Sequence, residues 1–329
     1  MVLDMKNMDI TIRPIDNQIY QQNIRHWDDI IKPLNSMGKF EPIIARIGAI
    51  QGTTTPAVKK RAVIVYASDN GIVEEGVTQS DQSVTATCTE GIAAMEHSVS
   101  VMAAASGTDI RVVDVGVNFD FENENIINKK IRKGSRNFAK EPALTQEEVL
   151  SAINIGIELV GELRNEGYSI IGVGEMGIGN TTTATAVACA LLRREAMELT
   201  GRGAGLNDAG LEKKVKVIEK ALKAYSLYDS DVCTILSAVG GYDIAAMAGT
   251  YIGGAVYGIP VVMDGVIAAV AALASERLAP GVKDYIIPSH MSREPAMRLI
   301  MAELGLASVI DADMALGEGT GAVLIHSIV

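Results

Sequence analysis

The fold of this chain is decided by the stretch Gly174-Glu-Met-Gly-Ile-Gly-Asn-Thr-Thr-Thr183. An apolar run, Tyr168-Ser-Ile-Ile-Gly-Val173, precedes it, and the alanine-rich residues 184–192 follow it. This order predicts a strand, a glycine turn and a helix, because glycines permit tight turns and close approach of the backbone. Two interpretations of the turn stay open: a helix start that binds a phosphate or another anion, or a plain connection. Neither the Walker A lysine nor the dinucleotide-binding order of glycines is present.

The composition is typical of an α/β protein with a sizeable core. The 329 residues are 48% hydrophobic and 4% aromatic, and 32 of them are glycine; this suits one large domain or two ordinary ones. The net charge of −11 argues against general nucleic-acid binding. Cys88, Cys189 and Cys233 form no CxxC pair, so neither a zinc site nor a disulfide framework is indicated, and a cytoplasmic location is expected.

No targeting or membrane-spanning segment is predicted. The chain begins Met1-Val-Leu-Asp-Met-Lys6 and carries Asp9, without the apolar core of a signal peptide. The longest apolar region, residues 252–274, is interrupted by glycines, Pro260 and Asp264. We therefore expect a buried strand followed by a buried helix there.

Short β-branched runs alternate with helical segments along the chain. Strands are predicted at residues 62–67, 111–117, 169–173, 260–263 and 285–287, with a weaker candidate at 308–310. The intervals are long enough for crossover helices, so a mostly parallel, doubly wound sheet is expected. The polar residues 118–140 are interpreted as irregular.

Two helices have readable ends. Thr145 and Glu148 form a capping box ahead of apolar residues at 149, 153, 157 and 160, with Gly167 as the stop. Asn207 or Asp208 begins the second helix, which has apolar residues at 211, 215, 218 and 222 and lysines that mostly face solvent. Residues up to about 50 and residues 294–306 are also expected to be helical, and the two ends could pack together as a small helical domain.

Candidate chemistry follows the strands, because open α/β sheets bind ligands at the carboxyl ends of their strands. Residues 68–71, 264–265 and 288–292 follow strands, and Gly317-Glu-Gly-Thr-Gly321 lies near the C-terminus. Glu318 is interpreted either as an exposed turn residue or as a general base that its glycine neighbours leave accessible. His290 has no partner at metal-ligand spacing, so a structural role is favoured and no metal is expected.

The chain lacks the acidic pair with which common phosphoribosyltransferases bind a ribose pyrophosphate substrate. A phosphoribosyl donor, if one is used, would then need neither pyrophosphate nor magnesium. A nucleotide with a pyridinium leaving group meets this requirement, because its ring departs as a neutral molecule. One carboxylate base would be enough for the incoming nucleophile.

Several motifs together resemble one family, that of the nicotinate-nucleotide–dimethylbenzimidazole phosphoribosyltransferases. The resemblance runs from Lys32-Pro-Leu-Asn-Ser-Met-Gly38 to the motif around Glu318, nearly the whole chain. The motifs that carry it are Asp69-x-Gly71 with Glu75-Gly-Val77, Asn137-Phe138 before Pro142-Ala-Leu-Thr145, Gly174–Thr182, Gly201-Arg-Gly-Ala-Gly-Leu206, Gly240-Gly-Tyr-Asp-Ile-Ala245, Ser289-His-Met-Ser292 and Gly317-Glu-Gly-Thr-Gly321.

The resemblance implies a Rossmann-like, mostly parallel sheet and a small helical domain formed from both chain ends. The large α/β domain would span residues 50–290, and the small domain residues 1–49 and 291–329, including the segment with the catalytic glutamate. It implies a dimer without a cofactor. The implied reaction transfers phosphoribose from nicotinate mononucleotide to an aromatic base, with inversion from β to α, in cobamide (cobalamin) biosynthesis.

The resemblance also assigns residues to roles. The family's catalytic base falls on Glu318. The donor would lie near Glu175, Gly177 and the turn that contains Asn180, Thr181 and Thr182. Positions that hold the phosphate or the nicotinate end match Gly203, Lys214 and Ser292, which takes Lys214 out of the solvent-facing set. The remaining substrate-binding positions fall on Asp69, Ser83, Met176 and Leu316.

Two positions depart from the family pattern. Ser83 replaces a glutamate that touches the incoming base, and Asn70 replaces the histidine of Asp-His-Gly. Loss of the carboxylate removes an acceptor for an imidazole N–H, so a phenol or p-cresol acceptor is hypothesised, as in relatives that work as pairs of unlike subunits. Homodimer and heterodimer therefore stay open. The alternative function is a non-catalytic partner subunit of such a heterodimer, against which the retained Glu318 argues.

Overall fold

The computed structural model describes residues 10–329, so the expectation about a signal peptide at residues 1–9 lies outside the described residues. The strands are β1 Arg61–Ser68, β2 Asp109–Gly116, β3 Ile126–Asn128, β4 Ile170–Met176, β5 Val261–Met263 and β6 Ile286–Pro288. The helices are α1 Asn17–Asp28, α2 Phe40–Gln51, α3 Ser83–Ala93, α4 Ser98–Ser106, α5 Gln146–Asn165, α6 Asn180–Leu192, α7 Ala196–Leu199, α8 Asp208–Ala224, α9 Val232–Val239, α10 Tyr242–Tyr257, α11 Val266–Leu278, α12 Ala296–Leu304 and α13 Thr320–Ile328. Short 3₁₀ turns lie at Gly71–Glu75, Leu227–Asp229 and Val282–Tyr285.

The strands form one sheet in the order β3-β2-β1-β4-β5-β6, and every pairing in it is parallel. This is the strand order of the doubly wound Rossmann fold, so the predicted fold class is confirmed. The direction of winding reverses between β1 and β4. A crevice opens at such a reversal, beyond the carboxyl ends of the strands.

Helices cover both faces of the sheet, which explains why the central strands β1 and β4 are buried along nearly their whole length. On β1, Ile64 and Tyr66 belong to the core beneath α5, α10 and α11, whereas Val63 and Val65 pack with α3, α4 and α13. Successive side chains on a strand point to opposite faces, so one strand feeds two cores.

The two chain ends meet on one face of the sheet. Ile43 and Ile47 of α2 share an apolar cluster with Ala322 and Ile325 of α13. The other C-terminal helix, α12, packs into the core on the opposite face. The division into residues 50–290 and the two ends stays a prediction.

The predicted helix ends are found at α5 and α8. The Thr145 hydroxyl accepts from the Glu148 N–H while the Glu148 carboxylate accepts from the Thr145 N–H, and α5 stops just before Gly167. Asn207, not Asp208, caps α8, with its side chain accepting from the Gly210 N–H. The apolar positions behind both caps are buried, except Leu211, which is half-buried.

Two sequence expectations about strands are wrong. Residues 308–310 form no ladder, because the N–H groups of Val309 and Ile310 both bond to the one carbonyl of Ser289, leaving a single bridge. Residues 118–140 are not wholly irregular, since β3 lies there and pairs with β2. Three residues are too few to reveal a strand by periodicity.

The long apolar region 252–274 is divided between three elements. Its first residues end α10, and the expected buried strand and buried helix follow as β5 and α11. Within residues 10–329, no helix is long and apolar enough to cross a membrane. Cys88, Cys189 and Cys233 are free thiols.

Helices α5 and α10 approach each other through glycines. A Cβ atom at Gly249 would lie 2.0 Å from the carbonyl oxygen of Ile153, and one at Gly156 would lie 2.1 Å from that of Ala246. Real Cβ atoms do not come this close to a backbone oxygen, so the glycines set the spacing of the two helices.

We predict that Gly249→Ala lowers the free energy of unfolding by about 1–3 kcal/mol, the usual effect of overpacking a core. Helix propensity alone predicts the opposite sign, a gain of about 1 kcal/mol. Urea unfolding followed by circular dichroism measures the difference. Glu158→Ala on the exposed face of α5 is the control and should change stability by about 0.5 kcal/mol or less. A stabilised Gly249→Ala variant would show that the helices do not depend on this contact.

Candidate active site

A cavity of about 280 Å³ lies beyond the carboxyl ends of β4, β5 and β6. Its walls come from the glycine turn after β4, the start of α11 and the segment before α13. The cavity therefore lies at the carboxyl edge of the sheet, on the β4 side of the reversal between β1 and β4. A larger groove of about 730 Å³ lies elsewhere, beside Arg193 and Arg277, and contains none of the predicted site residues.

The glycine turn is shorter than the sequence suggested. Strand β4 continues through Glu175 and Met176, so the turn proper is Gly177-Ile-Gly179, and α6 begins at Asn180. Gly179 has a φ of +91°, and a Cβ atom on Gly177 would lie 2.5 Å from the carbonyl oxygen of Ser68. The backbone of the turn therefore requires glycine at both positions.

The turn does not offer a row of free N–H groups to an anion. The N–H groups of Asn180 and Thr182 bond to the carbonyls of Gly177 and Gly179, and the Ile178 N–H bonds to the Thr85 hydroxyl at 3.1 Å. Both Asn180 and Thr181, the first residues of α6, line the cavity. Anion binding at this turn stays a prediction.

The buried ammonium group of Lys214 contacts the Thr181 hydroxyl. Lys214 of α8 is completely buried, and its Nζ donates to Thr181 Oγ1 at 2.9 Å and to the Gly201 carbonyl at 3.2 Å. Burial lowers the pKa of Lys214 to about 8, although the Glu294 carboxylate opposes this shift. This side of the cavity thus combines a hydroxyl and an ammonium group, the usual partners of a phosphate.

The segment that carries Glu318 is clamped onto the end of the sheet. Asp264, directly after β5, accepts hydrogen bonds from the N–H groups of Gly319 at 3.0 Å and Gly321 at 2.7 Å. Gly174 of β4 makes room for the segment, because a Cβ atom there would lie 2.4 Å from the Gly319 nitrogen. Glu318 itself has a φ of +63°, a left-handed conformation that non-glycine residues seldom adopt.

The Glu318 carboxylate is buried and only half satisfied. The residue is 6% exposed, and His97 Nδ1 lies 3.3 Å from its Oε1 atom. Within residues 10–329, Oε2 has no hydrogen-bond partner. Burial raises the pKa of Glu318, and the nearby His97 partly offsets this rise. A buried carboxylate with one unbonded oxygen is suited to accept a proton.

Other carboxyl groups crowd the same end of the sheet. The Asn180 amide donates to Glu175 and to Asp243 Oδ2, holding these two buried acids together. Burial, and secondarily the Asp243 charge, raise the pKa of Glu175 well above its usual range. Burial raises the pKa of Asp243 to about 6. Groups of this kind gather where a site disfavours additional negative charge or awaits a cationic ligand.

The structure brings most of the predicted site residues to this cavity. Those that line it are Glu175, Met176, Gly177, Asn180, Thr181, Gly203, Ser292, Leu316 and Glu318. Lys214 reaches it through Thr181. The cavity therefore joins residues that lie up to 143 positions apart, from Glu175 to Glu318.

Besides Lys214, three predicted residues do not line the cavity. Ser83 is exposed at the beginning of α3. Asp69 directly follows β1 and is buried, and its Oδ2 accepts a hydrogen bond from the Asn118 N–H at 2.7 Å. Thr182 is buried in α6. Asn70, the other departure from the family pattern, accepts from the Thr183 hydroxyl at 2.9 Å and so supports the start of α6.

Sequence reasoning missed two residues beside the site. His97 contacts Glu318 from the start of α4, and Glu294 lines the cavity and accepts from the Gly203 N–H at 3.2 Å. His97 and Glu318 are 221 positions apart, and no motif links them. Over the part of the chain that the structure describes, no cluster of histidine, cysteine and acidic residues could hold a metal ion.

Comparison with known proteins identifies the family of this chain. A family model described as phosphoribosyltransferase matches residues 12–329. The nicotinate-nucleotide–dimethylbenzimidazole phosphoribosyltransferase of Clostridium acetobutylicum is 42% identical over 327 residues, which are 99% of this chain and 93% of that protein. The crystal structure of CobT from Thermus thermophilus superposes with a TM-score of 0.91 at 35% identity, covering 94% of this chain and 93% of that one. The chain therefore belongs to the nicotinate-nucleotide–dimethylbenzimidazole phosphoribosyltransferase family.

Proposed function

We propose that this chain transfers a phosphoribosyl group from nicotinate mononucleotide to an aromatic base, releasing nicotinate and an α-ribotide for cobamide biosynthesis. The observation that carries the proposal is the position of Glu318. Glu318, whose carboxylate is buried and half-satisfied, lines the same cavity as the turn at Gly177–Gly179 and Thr181. The family membership and the geometry thus support the same reaction class.

The donor phosphate binds on the side of Thr181 and Lys214. The Thr181 hydroxyl and the Lys214 ammonium are already 2.9 Å apart, and Gly203 and Ser292 line the adjacent wall. A phosphate that accepts from both groups would give Lys214 a charged partner in place of the neutral oxygens that it now contacts. The ribose and the pyridinium ring then extend toward Glu175 and Glu318.

The chemistry needs one base and no acid. The pyridinium nitrogen of the donor carries a positive charge and becomes neutral when nicotinate leaves with the electron pair of the broken bond, so its departure requires no proton. The incoming base loses one proton as its bond to the anomeric carbon forms. Glu318 Oε2 takes that proton, and the raised pKa of Glu318 makes it a stronger base than an exposed glutamate.

We propose further that the active form is a dimer and that it is cytoplasmic. Between α1 and α2, the side chains of Ile30, Ile31, Leu34 and Met37 are about half to fully exposed, an apolar surface that a partner subunit would cover. The three free cysteines suit a reducing compartment. Light scattering, alone and with a co-expressed paralogue, distinguishes a homodimer from a heterodimer.

A non-catalytic partner subunit is the alternative function. Incubating the purified chain with nicotinate mononucleotide and a panel of benzimidazoles, phenols and adenine, while following nicotinate release, separates the two. Release with any acceptor supports an active enzyme. Absence of release with every acceptor, recovered on adding a paralogue, supports the partner subunit.

We predict that Glu318→Gln lowers kcat/KM by about 100-fold or more, the scale expected for a general base. Glutamine keeps the size of the side chain but cannot accept the proton. Glu303→Gln on the exposed face of α12 is the matched control and should leave the rate unchanged. Full activity of Glu318→Gln would remove Glu318 from this role.

We predict that kcat/KM for the donor falls as the pH rises above about 8. The pKa of Lys214 is about 8, so the free enzyme loses this positive charge in that range and binds the phosphate less well. Lys214→Met should raise the donor KM by about tenfold to a hundredfold and abolish the alkaline decline. The exposed Lys216→Met on the same helix is the control. An unchanged donor KM in Lys214→Met would place the phosphate elsewhere.

We predict a preference for phenols over dimethylbenzimidazole, because Ser83 supplies no carboxylate for an imidazole N–H. The support for a phenol acceptor is the difference in sequence from the family pattern. In the structure Ser83 is exposed and lies outside the cavity walls. Competition between the two acceptor classes measures the preference. Ser83→Glu should shift it toward benzimidazoles. A strong preference of the unaltered chain for dimethylbenzimidazole would contradict the prediction.

A further inference from the structure

His97, which lies far from Glu318 along the chain, forms a hydrogen bond with the Glu318 carboxylate. Glu318 lies between two glycines with φ values of +88° and +90°, so its immediate neighbours supply no side chain to support it. Residues 311–316, which precede this motif, are mostly exposed. Over residues 10–329, His97 is the one side chain that hydrogen-bonds to the Glu318 carboxylate.

The packing around His97 is specific. His97 stands at the start of α4 and its ring lies against Gly91 of α3, where a Cβ atom would come within 2.6 Å of the ring carbon Cδ2. A larger residue at Gly91 would overlap the ring, so either the ring or α3 would have to move. The ring is thus wedged between α3 and the segment that carries Glu318, with about a quarter of the His97 side chain still exposed.

The direction of the hydrogen bond follows from the chemistry of the two groups. An ionised carboxylate only accepts hydrogen bonds, so Nδ1 of His97 must donate to Oε1. This contact occupies Oε1 and leaves Oε2 as the atom that can receive a proton. It also fixes the rotation of the carboxylate about its terminal bond, which is otherwise a soft torsion.

We propose that His97 is a positioning residue for the reaction, holding Glu318 so that Oε2 faces the incoming aromatic base. This inference rests on the proposed function, because it presupposes that Glu318 is the base. His97 itself exchanges no proton with the substrate. Its removal should therefore reduce turnover and leave donor binding, on the Thr181 and Lys214 side, nearly intact.

The charges around Glu318 predict the accompanying change in pH dependence. His97 lowers the pKa of Glu318, whereas burial and the Asp264 charge raise it. Glu175 and the Cys88 thiol are the other titratable groups that interact electrostatically with Glu318. When His97 is removed, burial and the Asp264 charge raise the pKa of Glu318 without this opposing effect. The reaction needs the ionised carboxylate, so on acidification the activity should begin to fall at a higher pH.

The test compares His97→Ala and His97→Asn with the unaltered chain, using nicotinate mononucleotide and the best acceptor. We expect His97→Ala to lower kcat by about tenfold to a hundredfold, the scale for a hydrogen bond to a charged group, with little change in donor KM. The acidic limb of its pH profile should move to higher pH. Asparagine can donate from nearly the same place as Nδ1, so His97→Asn should recover most of the rate. The exposed His26→Ala is the control.

A double-mutant cycle separates this proposal from the assignment of Glu318. If His97 acts through Glu318, His97→Ala should cost almost nothing further in a Glu318→Gln background. Additive losses, or a His97→Ala variant with an unchanged rate and pH profile, would overturn the positioning role while Glu318→Gln still reports on the proposed function. If circular dichroism shows that His97→Ala does not fold, the pH profile of His97→Asn and its double-mutant cycle with Glu318→Gln provide the test.

Discussion

The site depends on the contact between the C-terminal segment and Asp264. In it, the N–H groups of Gly319 and Gly321 donate two hydrogen bonds to the buried Asp264 carboxylate. Asp264 follows β5, so this contact ties the C-terminal segment to the end of the sheet. Gly174 lets the segment lie directly on β4. Because both backbones are fixed there, Glu318 is held over the cavity in a conformation that a free loop would rarely adopt. The turn after β4, by contrast, is built by the strand and helix that flank it.

The charges of the cavity are divided between its two sides. Lys214 and the Thr181 hydroxyl lie on one side, with the Glu294 carboxylate near them. The other side contains Glu175 and Glu318, with Asp243 held behind Glu175 by Asn180, and all three acids are buried with raised pKa values. A donor with a phosphate at one end and a cationic ring near its anomeric carbon matches this division. Burial raises the pKa of these acids, so the ionised form of each is a stronger proton acceptor than an exposed carboxylate.

Much of the fold could be predicted because its signals are local. The capping box at Thr145, the strand ahead of the glycine turn and the alternation of strands and helices depend on neighbours in the chain. The failures are equally physical. Strand β3 has three residues and little pattern of its own, and it exists because β2 offers it hydrogen-bonding groups. Residues 308–310 have a strand-like sequence but share a single carbonyl acceptor at Ser289.

The sequence by itself determined the fold class, the family motifs and the chemical types available: a base among glycines, a lysine on a helix and a glycine turn. Only the tertiary structure decided which of these meet. It placed Glu318 among the cavity-lining residues and Ser83 outside the cavity walls, bonded the Ile178 N–H of the turn to Thr85 of α3, and put His97 against Glu318. The reason is that spacing along a chain specifies periodic, local hydrogen bonds, whereas contacts between residues 221 positions apart follow from how whole elements pack on the sheet.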